Sequence, residues 1–159
     1  MKTTIYSLLV LFFLISCTNN KSTIPKSKEV SESNTIEQLS IEGNWEMVGF
    51  YNYKDNVLMD SFKTNMGYRQ VKMFNKNKVM WSKLVPTDSI EWFGYGSYTA
   101  TDSTLTEQME YGSSVMNKVI AEQQEFNYRL VLTQNTFSQI QMDEEGNMVY
   151  SENYKRIRE

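Results

Sequence analysis

Histidine is absent from the 159-residue sequence, and cysteine occurs once, as Cys17. Without an imidazole there is no triad or dyad built on a histidine base, and no His/Cys zinc site. A lone cysteine forms no internal disulfide. No glycine-rich phosphate loop, serine elbow or Asp-x-Asp-x-Asp-Gly calcium loop can be found, and Asp143-Glu144-Glu145-Gly146-Asn147 reads as a hairpin turn. The sequence therefore offers no catalytic residue, no metal ligand set and no cofactor site, and it reads as a non-enzyme. A basic stripe is missing too. From residue 41 onward 16 acidic and 12 basic side chains are interspersed, which removes the electrostatic footprint of a nucleic-acid binder. Proline (2) and glycine (7) are scarce, whereas 40% of residues are hydrophobic and 13% aromatic, enough for one packed core.

The N-terminus carries Lys2 and then an apolar run from Ile5 to Ile15, broken only by Ser7. It is too short to span a bilayer, which takes about 20 apolar residues. It fits the apolar region of a signal peptide. The run ends in Leu14-Ile15-Ser16-Cys17, which resembles a bacterial lipobox. The resemblance implies cleavage before Cys17 and a diacylglyceryl group on its thiol, so the membrane is a partner through a lipid anchor. Thr18 is not the aspartate of an inner-membrane retention signal, and Thr18-Asn19-Asn20-Lys21 lacks the acidic residues of surface-exported lipoproteins. The expected location is the bacterial cell envelope, as an outer-membrane lipoprotein facing the periplasm. Residues 1–16 are then a signal peptide and 17–40 a lipidated, polar tether. Residues 41–159 form the domain.

Eight short strands are expected, at about 43–53, 68–74, 78–85, 94–100, 104–111, 126–133, 136–142 and 147–157. Alternation is clearest in Leu105-Thr106-Glu107-Gln108-Met109-Glu110-Tyr111 and in Phe126-Asn127-Tyr128-Arg129-Leu130-Val131-Leu132. Turn residues separate the segments, and such short links imply antiparallel neighbours. Val115, Val119 and Ile120 stand at helical spacing, so 114–125 reads as a short helix or structured loop. The connection 54–67 reads as a lid or crossover. This all-β pattern suits either a sandwich or a closed barrel.

Gly43-Asn44-Trp45 resembles the Gly-x-Trp signature on the first strand of lipocalins, and Tyr154-Lys155-Arg156 resembles the basic position on their last strand. Lys72-Met73-Phe74, Val79-Met80-Trp81, Gly96-Ser97-Tyr98-Thr99 and Thr106-Glu107-Gln108-Met109-Glu110-Tyr111 resemble the lipocalin-like domains of Bacteroidota lipoproteins. The likeness implies an eight-stranded antiparallel, calycin-type barrel closed by Trp45 and Arg156. The Thr-Asp-Tyr-type motif of typical lipocalins is missing, so a retinoid-type or receptor-binding role is not implied.

Such a barrel has an interior for packed side chains or for one small ligand. With Trp45 inward, Met47, Gly49 and Tyr51 share its face. Leu105, Glu107, Met109 and Tyr111 face in from the next clear strand, and Phe126, Tyr128, Leu130 and Leu132 from another. Gly94 and Gly96 leave room beside Tyr98. The candidate ligand-binding residues are Tyr51, Trp81, Tyr98, Glu107, Met109, Tyr111 and Tyr128, around a small hydrophobic molecule. Glu107 is the pointed one, because a buried carboxylate requires a partner; it reads as a ligand anchor or as a partner for Arg69 or Arg129. The other reading is an interaction module that grips an envelope protein through 54–67 and 86–93.

Overall fold

The fold is taken from a computed structural model that describes residues 39–62, 64, 67–87 and 89–158. The signal peptide, Cys17 and the tether up to residue 38 lie outside the described residues.

Nine strands and one helix follow in chain order: β1 Gly43–Lys54, β2 Val57–Phe62, β3 Arg69–Asn75, β4 Lys78–Leu84, β5 Trp92–Ala100, β6 Thr104–Gly112, α1 Ser114–Glu122, β7 Glu125–Leu132, β8 Thr136–Met142 and β9 Met148–Arg156. All neighbours are antiparallel, and β1 pairs with β9 as well as with β3. Eight strands, β1 and β3 to β9, thus close into a barrel. Closure leaves these strands few free edges.

The ninth strand is a correction. Residues 57–62 are neither a lid nor a crossover but pair with the far half of β1, from Phe50↔Phe62 to Lys54↔Val57. Asp55 and Asn56 both have positive φ, 51° and 63°, as a two-residue type I′ hairpin turn requires. Asn56 then fastens this hairpin to the β8–β9 turn, donating to Asn147 Oδ1 at 2.8 Å and accepting from Met148 N at 2.8 Å. All six β2 residues are exposed, so their pattern shows no alternation.

Two bulges reset which residues face inward. The β1–β9 register runs Trp45↔Arg156, Met47↔Tyr154 and then Gly49↔Asn153, so Val48 is the extra residue. Beyond it Phe50 takes the inner face opposite Glu152, while Gly49 and Tyr51 turn outward. On β6 the register steps from Gly96↔Met109 to Tyr95↔Tyr111, with Glu110 extra. Tyr111 therefore stands outside, 54% exposed, beside Tyr95. The expected inward positions of Gly49, Tyr51 and Tyr111 fail for this one reason: each lies past a bulge that period-2 counting passes over.

Helix α1 closes one end. Ser113 caps it by accepting from Met116 N at 3.3 Å, and Met116 and Ile120 are its buried residues. Val119 is 36% exposed and borders the cavity. At the other end the barrel is filled. Trp45, Met47, Phe74, Val79, Tyr98, Leu105, Leu130, Phe137 and Tyr154 form one buried cluster with Ile41. Phe137 meets the Trp45 ring edge-on at 4.9 Å and stacks on Tyr154 at 4.5 Å. Burying one such side chain contributes about 1.5–3 kcal/mol.

Trp45 is fully buried, and its Nε1 donates to Ile41 O at 2.8 Å. The Arg156 guanidinium lies 4.0 Å from the centre of the Trp45 ring. It also donates to the carbonyls of Ser40, Glu42 and Gln134. First and last strands are thus joined by backbone pairing and by this side-chain clamp.

Candidate functional site

The inward residues change character along the barrel axis. Two residues along each strand moves one layer. On β3 the steps are Phe74, Lys72, Gln70. On β6 they are Leu105, Glu107, Met109. On β7 they are Leu130, Tyr128, Phe126, and on β9 Tyr154, Glu152, Tyr150. The apolar layer with Trp45 is thus followed by a polar layer, and above that lies a mixed layer beneath α1. A cavity of about 190 Å³ opens above the polar layer, bounded by Lys72, Glu107, Gln139 and Glu152 below and by Trp81, Trp92, Met109, Met116 and Phe126 around the top.

Lys72 and Glu107 are the centre of the floor. Nζ and Oε1 are 2.7 Å apart, and their side chains are 2% and 3% exposed. Glu107 Oε1 is close enough for strong coulombic attraction, but it receives no aligned hydrogen bond. Lys72 Nζ also donates to Gln139 Oε1 at 2.7 Å and faces the rings of Phe74, Tyr128 and Tyr154. Burial raises the Glu107 carboxyl above its ordinary value; Lys72 opposes this and Glu152 adds to it.

A second set of side chains holds Glu152. Its Oε2 accepts from Gln70 Nε2 at 3.1 Å, from Gln139 Nε2 at 3.0 Å and from the Tyr154 hydroxyl. Tyr68 OH donates to Gln70 Oε1 at 3.0 Å. Glu152 Oε1 faces Lys83 Nζ at 3.9 Å, and that ammonium lies 5.5 Å over the Trp81 ring. Burial pushes the Tyr68 phenol up to about 12, and Tyr128 and Tyr154 are also pushed up by burial. All three stay neutral donors through the physiological range.

The solved structures can now be set beside this geometry. The crystal structure of a lipocalin-like protein from Bacteroides uniformis ATCC 8492 superposes with a TM-score of 0.50 at 14% identity, covering 73% of this chain and 97% of that one. The fold is lipocalin-like. An uncharacterised protein from Bacteroides eggerthii DSM 20697 is also similar, with a TM-score of 0.47, 14% identity and coverage of 73% and 98%. No protein-family model matches the chain, and no curated protein does.

In this lipocalin-like barrel the expected ligand residues separate into two groups. Trp81, Glu107, Met109 and Tyr128 line the cavity together. Tyr51 and Tyr111 are outside, for the bulges given above. Tyr98 is inside but belongs to the filled end, with its ring 4.8 Å from Phe74. The room expected beside Gly94 and Gly96 is taken: a Cβ on Gly94 would meet Trp81 at 2.9 Å, and one on Gly96 would meet Gln108 O at 2.2 Å. Nor is the partner of Glu107 an arginine. Arg69 pairs outside with Glu46 at 2.7 Å, and Arg129 donates to Met148 Sδ at 3.3 Å.

Sequence reasoning missed Lys72, Gln70, Gln139 and Glu152. A signal existed: with Phe74 and Tyr154 facing in, counting back by two reaches Lys72, Gln70 and Glu152 on the same face. Trp92, expected in a loop, begins β5 and packs at the cavity rim. The turn at Asp143–Asn147 is closed by its own side chains, Asp143 Oδ1 accepting from Asn147 N at 2.6 Å.

Proposed function

We propose that the chain is a lipid-anchored, non-enzymatic binding protein of the bacterial envelope that holds a small, largely apolar molecule in the barrel. The observation that carries this is the composition of the cavity: aromatic and thioether walls over a buried charged floor. Ligand sites have this mixture, with apolar walls giving affinity and a few fixed polar groups giving orientation. At about 190 Å³ the space is smaller than the roughly 300–1,000 Å³ of sites for drug-sized ligands. It suits a molecule little larger than benzene, which fills an engineered cavity of about 150 Å³. Methionine at the rim adapts to irregular apolar shapes. The anchor rests on Cys17 and its lipobox, and the outer-membrane, periplasm-facing location on Thr18 and its neighbours.

The test is native mass spectrometry and thermal shift against a panel of small metabolites and lipids. A bound mass that raises the melting temperature, and that is lost when Met109→Trp fills the cavity, supports the reading. No stabilising compound in the panel counts against it.

A second reading, an interaction module for another envelope protein, is favoured by one observation. β2 exposes Val57, Leu58, Met59 and Phe62, each more than 40% exposed, and among the described residues it pairs with β1 alone. Exposed apolar edge strands are templates for partner strands. Crosslinking from β2 in intact cells separates the two readings.

A further inference from the structure

The polar groups around the floor of the cavity are largely paired with one another. Gln70 and Gln139 place their amide groups on each other's neighbours: Glu152, Tyr154, Tyr68 and Lys72. The Tyr154 hydroxyl donates to Glu152. Two carboxylate oxygens lack an aligned donor. Glu107 Oε1 is buried without one, although Lys72 Nζ stands 2.7 Å from it, and Glu152 Oε1 has Lys83 at 3.9 Å, beyond hydrogen-bond reach. The walls add the faces of Trp81 and Tyr128, and cations are attracted to such rings. Lys83 already shows the arrangement: its ammonium hangs over Trp81 and points toward Glu152, on a side chain 28% exposed at the rim.

We propose that the cavity takes a small primary amine, whose ammonium replaces that of Lys83 at Glu152 and Trp81 and donates to Glu107, while its short apolar body lies against Met109, Trp92, Met116 and Phe126. This identification of ligand class rests on the binding-protein reading. The alternative head groups fit less well. A carboxylate would stand near Glu107 and Glu152 and could pair with Lys83 only by drawing that ammonium away from Glu152. An alcohol supplies one donor where two acceptors wait. An ammonium supplies three, and hydrogen bonds to charged groups are the stronger kind. Moving Lys83 aside costs little, because it is flexible, partly in water and not hydrogen-bonded to Glu152.

The test is calorimetric titration of the whole protein at neutral pH with n-pentylamine, n-pentanol and pentanoate. The amine is expected to bind about tenfold or more tightly than the alcohol, with pentanoate weakest. Glu152→Gln keeps an oxygen for Gln70, Gln139 and Tyr154 and turns an amide toward the cavity, so it folds and erases the amine's lead over the alcohol. Lys83→Met removes the competing ammonium and tightens the amine. If the alcohol or the carboxylate binds as well as the amine, or the lead survives in Glu152→Gln, the amine assignment is overturned and the binding reading stands. If none of the three binds, the amine assignment is overturned, and the metabolite and lipid panel decides the binding reading.

Discussion

Lys72 and Glu107 meet at 2.7 Å across the barrel, from β3 and β6, two walls that share no backbone pairing. Water is nearly excluded from both, so each ion depends on the other for what hydration would supply. Removing one leaves the other charged and buried. Lys72→Met and Glu107→Gln should each destabilise the fold by about 3–5 kcal/mol. The double variant Lys72→Met with Glu107→Leu should cost less than either single change. Urea unfolding of the four proteins measures the coupling. Single variants within 1 kcal/mol of wild type would show that water in the cavity already solvates the pair.

The same pair sets a pH dependence. The Glu107 carboxyl is held above its ordinary 4.5, so the folded state binds this proton more tightly than the unfolded chain. The contribution is complete below about 4.5 and is lost as pH rises through the raised value. Wild-type stability should therefore carry a downward component over that window, and the double variant should lack it. Subtracting the two urea-stability profiles isolates the component.

At alkaline pH the phenols act in the same direction. Tyr68, raised to about 12, keeps its proton in the fold after the unfolded chain has lost it near 10. Stability should fall as pH climbs from 10 toward 12. Absorbance at about 295 nm, where phenolate absorbs, should show several tyrosines ionising only on unfolding, with Tyr68→Phe removing one and flattening the decline.

Arg156 clamps a seam rather than a site. It covers Trp45 at 4.0 Å and serves three carbonyls from two chain segments. A cation over a ring contributes about 0.5–2 kcal/mol, and Arg156→Met also strips those carbonyls, so a loss of about 2–3 kcal/mol is expected. Lysine should recover only part of it, because a point charge cannot fork to three acceptors. Hydrogen exchange at β1 and β9 should rise in both variants ahead of the rest of the barrel.

Much of this fold could be read from the sequence because alternation is a strong signal where one face is buried and the other wet. β6 and β7 show it plainly, and so did the ends of the barrel, through Gly43-Asn44-Trp45 and Arg156. β2 stayed invisible because both of its faces are exposed. The site was only half legible. Trp81, Glu107, Met109 and Tyr128 fall on unbroken stretches of alternation. Tyr51 and Tyr111 lie beyond single-residue bulges, and one inserted residue inverts every later assignment. Lys72 was hidden by its chemistry: a lysine reads as surface, and nothing local reveals a carboxylate 35 residues away waiting for it.

Anchoring is tested at Cys17, independently of the barrel. Metabolic labelling with a palmitate analogue should mark the wild-type protein. Cys17→Ser should lose the label, with the melting temperature of the domain unchanged. In the proposed anchor each methylene of an acyl chain contributes about 0.8 kcal/mol to membrane attachment. Absence of label on the wild-type protein, or its persistence in the serine variant, would refute the anchor.

Gly94 and Gly96 separate the binding role from the fold. Both lie on the inner face of β5, one beside the cavity and one at the β6 bulge. A Cβ on Gly96 would stand 2.2 Å from Gln108 O and 2.8 Å from Met109 Cα, so two backbones must part. Gly96→Ala should cost about 1–3 kcal/mol or more. On Gly94 the obstacles are side chains, Met109 Cε at 2.6 Å and the Trp81 ring at 2.9 Å, and both border open space. They can yield into the cavity. Gly94→Ala should therefore fold with a smaller loss than Gly96→Ala while reducing the space available to a ligand. Binding measured on the two variants would then fall most in the more stable one, an ordering that a purely structural role for β5 does not produce.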